Sequence, residues 1–122
     1  MKVFRVDKVN KEFLCFEPRI PLKKSYDENH TTPRICCSPS LNGCLSSIDN
    51  LDYHDMLYVY ECDIQEFYQP TEKEVYDSYL TGELWILKPA IFKKIGSLEI
   101  TGYIGQDYKN RVNNQYAFNF IE

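Results

Sequence analysis

The chain lacks the residue patterns that identify several large classes of protein. It has only two histidines, His30 and His54, and its five cysteines include no C-x-x-C pair, so we expect no metal site. No apolar run approaches the roughly 20 residues that span a bilayer. The sequence also holds no GxGxxG, P-loop or GxSxG motif. These absences predict a protein without a membrane segment and outside the common nucleotide-binding and α/β-hydrolase classes.

Positive charge is scarce as well. Fourteen Lys and Arg residues face 18 Asp and Glu residues, which gives a formal net charge of -4 and a pI near 5.2. This balance argues against non-specific binding to nucleic acids or to an anionic membrane surface. The first residues, MKVFRVDKVN, lack the apolar core of a signal peptide, and most cysteines lie in apolar patterns typical of buried thiols in a reduced compartment. We therefore expect a cytoplasmic protein.

The residues that are present predict one β-rich domain over 1–122. The chain is 43% hydrophobic and contains 10 Tyr and 7 Phe, which suits strands. Alternating or buried-strand patterns occur at Met1–Val6, Phe13–Phe16, Met56–Cys62, Gly82–Lys88, Ile91–Ile95, Leu98–Ile104 and 116–120. We predict an α+β fold of mixed sheets in which strands outnumber helices.

The connections are predicted from polar and turn-forming residues. Gly96 and Ser97 favour a tight turn between two strands, and Asp107–Asn114 favours a polar loop. The polar, aperiodic segment Lys23–Pro33 is typical of a long loop, a kind of loop that often covers functional sites. Within the mixed segment Asp63–Tyr79, the Thr-x-x-Glu sequence at 71–74 favours a short capped helix.

The segment Arg34–Ile48, RICCSPSLNGCLSSI, predicts a buried strand that turns directly into the one clear amphipathic helix. Ser38 fits the N-cap position and Pro39 the first helical position. One face of the helix is apolar through Leu41, Cys44, Leu45 and Ile48. A hydroxyl at such a corner favours anionic or hydroxyl-rich ligands, although the same residues could simply build a well-capped helix. Cys37 is the one thiol whose pKa this helix start could lower.

Glu83 and three arginines are the candidate functional charges. Strand periodicity puts Glu83 on one face with Trp85, where its carboxylate needs a cationic or hydroxylic partner unless it is only the half-exposed start of its strand. Arg5, Arg19 and Arg34 lie in the apolar contexts FRV, PRIP and PRICC. Such guanidinium groups brace a diphosphate or a carboxylate, or serve as structural ion-pair partners.

Three of these segments together resemble the ADP-ribosyltransferase-like superfamily. Arg5 in VFRV, Ser38 in RICCSPS and Glu83 in TGELWILKP follow the order of its Arg–Ser–Glu signature. The resemblance implies that fold, NAD as a substrate, Arg5 against a phosphate or ribose, Ser38 bracing the nicotinamide-side strand, and Glu83 as the catalytic residue. Glu83 would stabilise the oxocarbenium-like centre as nicotinamide leaves. We place Arg34 and Trp85 in the same cofactor-binding set.

The chain departs from that signature at two points. Thr81 stands where arginine-modifying members carry a second acid, and Pro39 and Ser40 replace the usual Thr-Ser after the serine. The target class therefore stays open. The chain also resembles short uncharacterised bacterial and phage proteins with the pattern PRIP, TPRIC-x-SPS and GE-x-W, a resemblance that implies no known activity.

Three hypotheses follow. The first is an NAD-dependent mono-ADP-ribosyltransferase that modifies a macromolecular target, with a protein as the expected partner. The second is a catalytically silent interaction protein of a phage or mobile element that inhibits a host factor, which would suit an acidic, tyrosine-rich surface. The third is a nucleotide- or RNA-terminus-processing member of the same superfamily, which would need basic residues beside the cleft.

Overall fold

A computed structural model of this chain describes residues 1–21, 31–75, 81–107 and 112–122. The elements are β1 (Lys2–Asp7), β2 (Phe13–Phe16), β3 (Ile35–Cys37), α1 (Leu41–Ser46), β4 (Met56–Asp63), β5 (Leu84–Ile86), β6 (Ala90–Asp107) and β7 (Val112–Ile121). The predicted β-rich composition with a single clear helix is confirmed for the described residues. No helix among them is long and apolar enough to cross a membrane.

Two antiparallel sheets organise the chain. Five strands form the larger sheet in the order β1-β4-β6-β2, with β7 also paired to β6, and β3 pairs with β5 in a smaller sheet. The strand β1 connects the two, because Phe4 and Ser38 exchange backbone hydrogen bonds of 2.8 and 3.2 Å. The end of β3 is therefore held beside the middle of β1.

The core consists of two apolar clusters that share the strand β4. Leu57 and Val59 pack in the cluster that includes Leu45 of α1, whereas Tyr60 packs in the cluster that includes residues of β3 and β5. Successive strand residues point to opposite faces, so one strand can supply both clusters. The helix and the smaller sheet thus cover different parts of the large sheet.

The turn predicted at Gly96 and Ser97 is wrong, because β6 runs through both residues as one strand. Val59 pairs with Gly96 and Tyr60 with Lys94, so the residue between them forms a bulge. A Cβ on Gly96 would lie 2.3 Å from the carbonyl oxygen of Ile121. The glycine therefore permits a close approach of β7 and does not mark a turn.

Other boundaries also differ from the sequence predictions. The strand predicted over Gly82–Lys88 is limited to β5. Of the polar loop predicted over Asp107–Asn114, Asp107 belongs to β6 and 112–114 to β7, and 108–111 lie outside the described residues. The Thr71–Glu74 segment forms a turn in which the Thr71 N–H donates to Glu74 Oε1 at 3.2 Å, which is the expected capping contact. Residues 22–30, which include most of the predicted long loop, lie outside the described residues.

Candidate active site

Arg5, Ser38 and Glu83 line one pocket of about 200 Å³. Arg5 comes from β1, Ser38 directly follows β3, and Glu83 directly precedes β5. The start of α1 closes one side of the pocket with Gly43 and Cys44. Three positions separated by more than 30 residues along the chain are thus brought to the same cavity.

The strand pairing in the smaller sheet explains why Ser38 and Glu83 lie on the same face of that sheet. Cys36 lies opposite Trp85, and both backbone hydrogen bonds of Trp85, each 2.8 Å long, go to Tyr68. The Cys36–Trp85 pair is therefore the non-hydrogen-bonded type, in which facing side chains lie closest. Ser38 and Glu83 lie two residues from this pair on their respective chains, so they share its face.

The carboxylate of Glu83 is oriented by the indole of Trp85. Trp85 Nε1 donates a 2.6 Å hydrogen bond to Glu83 Oε2, and the Glu83 N–H donates to Thr81 Oγ1 at 3.2 Å. Glu83 is half-buried, as its position at the edge of the pocket requires. The predicted shared face with Trp85 is confirmed, and one partner of the carboxylate is the indole N–H, which is neither the cationic nor the hydroxylic group that was expected.

The helix cap predicted at Ser38 is wrong. The N-cap is Ser40, whose Oγ accepts a 3.0 Å hydrogen bond from the N–H of Gly43, and Pro39 precedes the cap. Ser38 is held to β1 through its backbone, and its Oγ accepts a 3.3 Å hydrogen bond from the N–H of Ser40 while it donates to another segment. Helix α1 is therefore six residues long and is capped by the side chain of the residue directly before it.

The hydroxyl of Ser38 instead fixes the segment that leads into Glu83. Ser38 is 3% exposed, and its Oγ donates a 2.8 Å hydrogen bond to the carbonyl oxygen of Thr81. Thr81 in turn accepts from the Glu83 N–H through its side chain. This chain of contacts connects the end of β3 to the carboxylate across 45 residues of sequence.

Gly43 is a pocket residue that the sequence analysis did not select. A Cβ at this position would lie 2.0 Å from the carbonyl oxygen of Thr81 and 2.2 Å from Ser38 Oγ. Only a residue without a side chain lets α1 pack this closely. The available signal was a glycine inside a helical pattern, which usually lowers helix stability and so indicates a packing reason when it is retained.

Arg5 is partly a structural residue. Its Nη1 donates to the carbonyl oxygen of Cys36, and its guanidinium stacks over the ring of Phe16 with 4.3 Å between Cζ and the ring centroid. Its Nε is buried and has no hydrogen-bond partner among the described residues. One donor of this guanidinium is therefore not used by those residues.

Arg34 and Trp85 do not line the pocket. Arg34 is 2% exposed, its guanidinium lies 4.2 Å from the centroid of the Trp85 ring, and its Nη1 donates to the carbonyl oxygen of Thr32. Trp85 is completely buried. The two side chains form a stacked pair behind Glu83. Arg19, the third arginine in an apolar context, is exposed and pairs with Arg34 only through the backbone.

The three thiols that line the pocket are protonated near neutral pH. Burial raises the pKa of Cys36, Cys37 and Cys44 to about 12, and the carboxylate of Glu83 adds to the rise at Cys36. The idea that the helix start lowers the pKa of Cys37 is therefore wrong, because desolvation dominates. None of the three can supply a thiolate nucleophile near neutral pH. No group of three or more His, Cys, Asp or Glu side chains within the described ranges could hold a metal ion.

No protein-family model, curated protein or solved structure matches this chain significantly.

Proposed function

We propose that this chain is an NAD-binding mono-ADP-ribosyltransferase with the ADP-ribosyltransferase-like fold, and that it modifies a macromolecular target, in the first place a protein. The observation that supports this proposal most directly is the shared pocket of Arg5, Ser38 and Glu83. These are the three positions of the Arg–Ser–Glu signature, and they come from three separate segments. The chemistry of each residue in the pocket agrees with the role that the signature gives it.

Glu83 has the role of stabilising positive charge. In the transfer, the bond between ribose C1′ and the nicotinamide nitrogen breaks, and its electron pair leaves with nicotinamide. A nucleophile of the target then bonds to C1′ and loses its proton. A carboxylate whose orientation is fixed before the reaction stabilises the developing oxocarbenium charge without reorganising. The indole of Trp85 provides this fixed orientation through its hydrogen bond to Glu83 Oε2.

Arg5 and Ser38 have the roles of binding and bracing. Arg5 lines the pocket, and its guanidinium has N–H donors besides the one bonded to Cys36 that can donate to a phosphate or ribose oxygen. Ser38 braces the Thr81 segment before Glu83. The pocket volume of about 200 Å³ is below the roughly 300–1,000 Å³ of typical small-molecule sites. It can hold one end of NAD, so the adenosine half would lie outside it.

The experiment that tests this proposal follows both products of the reaction. The protein is incubated with NAD labelled in the adenine ring and with cell lysate, and protein-bound label and released nicotinamide are measured. We expect both products from the wild type, and a loss on the order of 10²- to 10³-fold in Glu83→Gln, which keeps the shape and removes the charge. The control is Glu17→Gln, an exposed acid outside the pocket, which should leave both products unchanged.

Two outcomes would contradict the proposal. One is the absence of label transfer and nicotinamide release together with no change in Trp85 fluorescence at millimolar NAD. The other is full activity of a folded Glu83→Gln protein. The RNA-terminus alternative is not favoured, because Arg5 is the only basic side chain among the described residues that line the pocket.

A catalytically silent interaction protein is the second candidate, and the exposed apolar surface favours it. Tyr103, Ile104 and Ile121 on the paired strands β6 and β7 are each more than half exposed, at 55%, 69% and 51%. Exposed apolar side chains of this kind are available to contact a partner protein. Capture of one stoichiometric partner that Glu83→Ala does not affect, with no label transfer, would support this candidate over the enzyme.

A further inference from the structure

A second pocket lies between the segment that follows α1 and the paired strands β6 and β7. Its volume is about 660 Å³, within the roughly 300–1,000 Å³ of typical small-molecule sites. The segment after α1 provides Asp49, Leu51, Asp52 and Tyr53, and the strands provide Tyr103 and Tyr116. The site described above uses none of these residues.

Tyr116 holds this pocket in shape. It is 6% exposed, its hydroxyl donates a 2.9 Å hydrogen bond to the carbonyl oxygen of Ile48, and the N–H of Leu51 lies 3.5 Å from the same hydroxyl. The ring of Tyr103 packs against that of Tyr116, with centroids 5.3 Å apart. An aromatic floor is therefore fastened to the segment that carries the acidic residues.

The described residues that line this pocket carry net negative charge. Asp49 and Asp52 line it, and no Lys or Arg side chain does so among the described residues. Burial raises the pKa of Tyr116, and Tyr103, Asp49 and Asp52 raise it further, against the opposing N–H of Leu51. The burial contribution disfavours a charge of either sign, but the contribution of the two carboxylates is specific to negative charge and favours a cation in the same place.

We propose that this pocket binds a cationic side chain of a partner polypeptide, an arginine in the first place. A guanidinium is planar and weakly hydrated, so it stacks on tyrosine rings and donates to carboxylates at the same time. The pocket is larger than one such group, and the rim residues Tyr53 and Tyr103 are 62% and 55% exposed. That rim can contact the residues on either side of the bound arginine, which a free small cation does not provide.

This proposal does not depend on the activity proposed above. The chain passes from Ile48 of the first pocket directly into Asp49 of the second. A polypeptide bound at the second pocket would therefore lie close to the first, whether the first pocket is catalytic or silent.

The test is a calorimetric titration at low ionic strength with an acetylated Gly-Arg-Gly amide. The matched ligand control is the same peptide with citrulline, which has the shape of arginine without its charge. We expect saturable binding of the arginine peptide and none of the citrulline peptide. Asp49→Asn, Asp52→Asn and Tyr103→Leu should each weaken binding about two- to fivefold. The protein control is Glu17→Gln, which removes one charge outside the pocket.

Circular dichroism and thermal melting establish that each variant is folded. If Asp49→Asn does not fold, Asp52→Asn and Tyr103→Leu decide the test. Equal binding of the citrulline peptide, wild-type binding by the folded pocket variants, or an equal loss in Glu17→Gln would each overturn the proposal. Ethylguanidinium, a free guanidinium compound with the same single charge as the peptide, is titrated in parallel. Binding of ethylguanidinium as tight as or tighter than that of the arginine peptide would overturn the assignment to a polypeptide partner.

Discussion

Trp85 Nε1 donates a 2.6 Å hydrogen bond to Oε2 of Glu83, the residue two positions before it. On the other side of this contact, the Trp85 ring stacks with the guanidinium of Arg34 at 4.2 Å. The indole is completely buried, whereas Glu83 reaches the pocket. One aromatic side chain thus connects a buried cation to the candidate catalytic carboxylate.

Replacing Trp85 with Phe should separate these two contacts. Phenylalanine keeps an apolar ring in the core but cannot donate a hydrogen bond, so the Glu83 carboxylate loses its orienting partner. We expect unfolding to become easier by about 1–3 kcal/mol, from the lost hydrogen bond and the smaller ring. Under the proposed function, nicotinamide release should fall on the order of tenfold or more, because a misplaced group loses much of its effect.

The control for this change is Tyr68→Phe. Tyr68 packs 5.5 Å from the Trp85 ring, and its hydroxyl donates to a half-buried glutamate, Glu74. This variant should retain nicotinamide release and lose little stability. A Trp85→Phe protein that is folded and releases nicotinamide at the wild-type rate would show that the indole N–H does not matter for the carboxylate.

Ser38→Ala should destabilise the protein because the carbonyl oxygen of Thr81 loses its hydrogen-bond donor. The hydroxyl that this change removes is buried, and the carbonyl that it serves would lose its partner. We expect a loss of about 1–3 kcal/mol in the free energy of unfolding, measured by urea titration. Ser47→Ala is the stability control, since Ser47 is exposed and its hydroxyl only returns to the carbonyl of Cys44. Equal effects of the two changes would refute the bracing role of Ser38.

Gly43→Ala should destabilise the protein, although alanine has a higher helix propensity than glycine. In an exposed helix interior, alanine is more favourable than glycine by roughly 0.5–1 kcal/mol. At this position the new Cβ would overlap Thr81 and Ser38, and overpacking of this kind costs about 1–3 kcal/mol. We expect a lower melting temperature for Gly43→Ala and an unchanged or higher one for Asn42→Ala, which is exposed on the same helix. A stabilised Gly43→Ala protein would mean that α1 does not pack against Thr81.

Local sequence patterns predicted the strands well where alternation is regular, because period-two burial is a local property. Phe13–Phe16 was predicted with the bounds that β2 has, and the end of β4 differs from the prediction by one residue. The N-cap of the helix was predicted two residues too early, at Ser38 instead of Ser40. Ser38 and Ser40 both suit an N-cap, and the choice between them is made by Thr81, which is 43 residues away. No local pattern contains that information.

Contacts between distant segments also determine where Gly96, Arg34 and Trp85 lie. Gly96 fits a turn by its residue type, but the approach of Ile121 keeps it within a strand. Arg34 and Trp85 belong to the predicted cofactor-binding set, and the structure stacks them on each other in the core, where neither lines the pocket. Strand periodicity predicted that Glu83 and Trp85 share one face of the β3–β5 pair. It could not predict which residues of other segments contact that face.

Thiol labelling should separate the five cysteines by burial. Cys15 is exposed, Cys62 is half-buried, and burial raises the pKa of Cys36, Cys37 and Cys44 to about 12. Only the thiolate reacts with iodoacetamide, so the three pocket thiols should stay unmodified at pH 8 in the folded protein. Mass spectrometry should find Cys15 labelled first and all five labelled in urea. Rapid modification of Cys44 in the folded protein would contradict the burial of that pocket wall.

The same thiols should make the fold sensitive to alkali. Their pKa values are raised in the folded state from an ordinary value of 9.0 to about 12, so the unfolded chain releases these protons at a lower pH than the folded chain. The stability that the neutral thiols contribute is therefore fully present below pH 9.0 and is lost as the pH rises toward 12. Urea titrations across this range should show a falling free energy of unfolding, and Cys37→Ser should reduce the slope. Serine does not ionise here, so an unchanged slope in a folded Cys37→Ser protein would assign the alkaline loss to other groups.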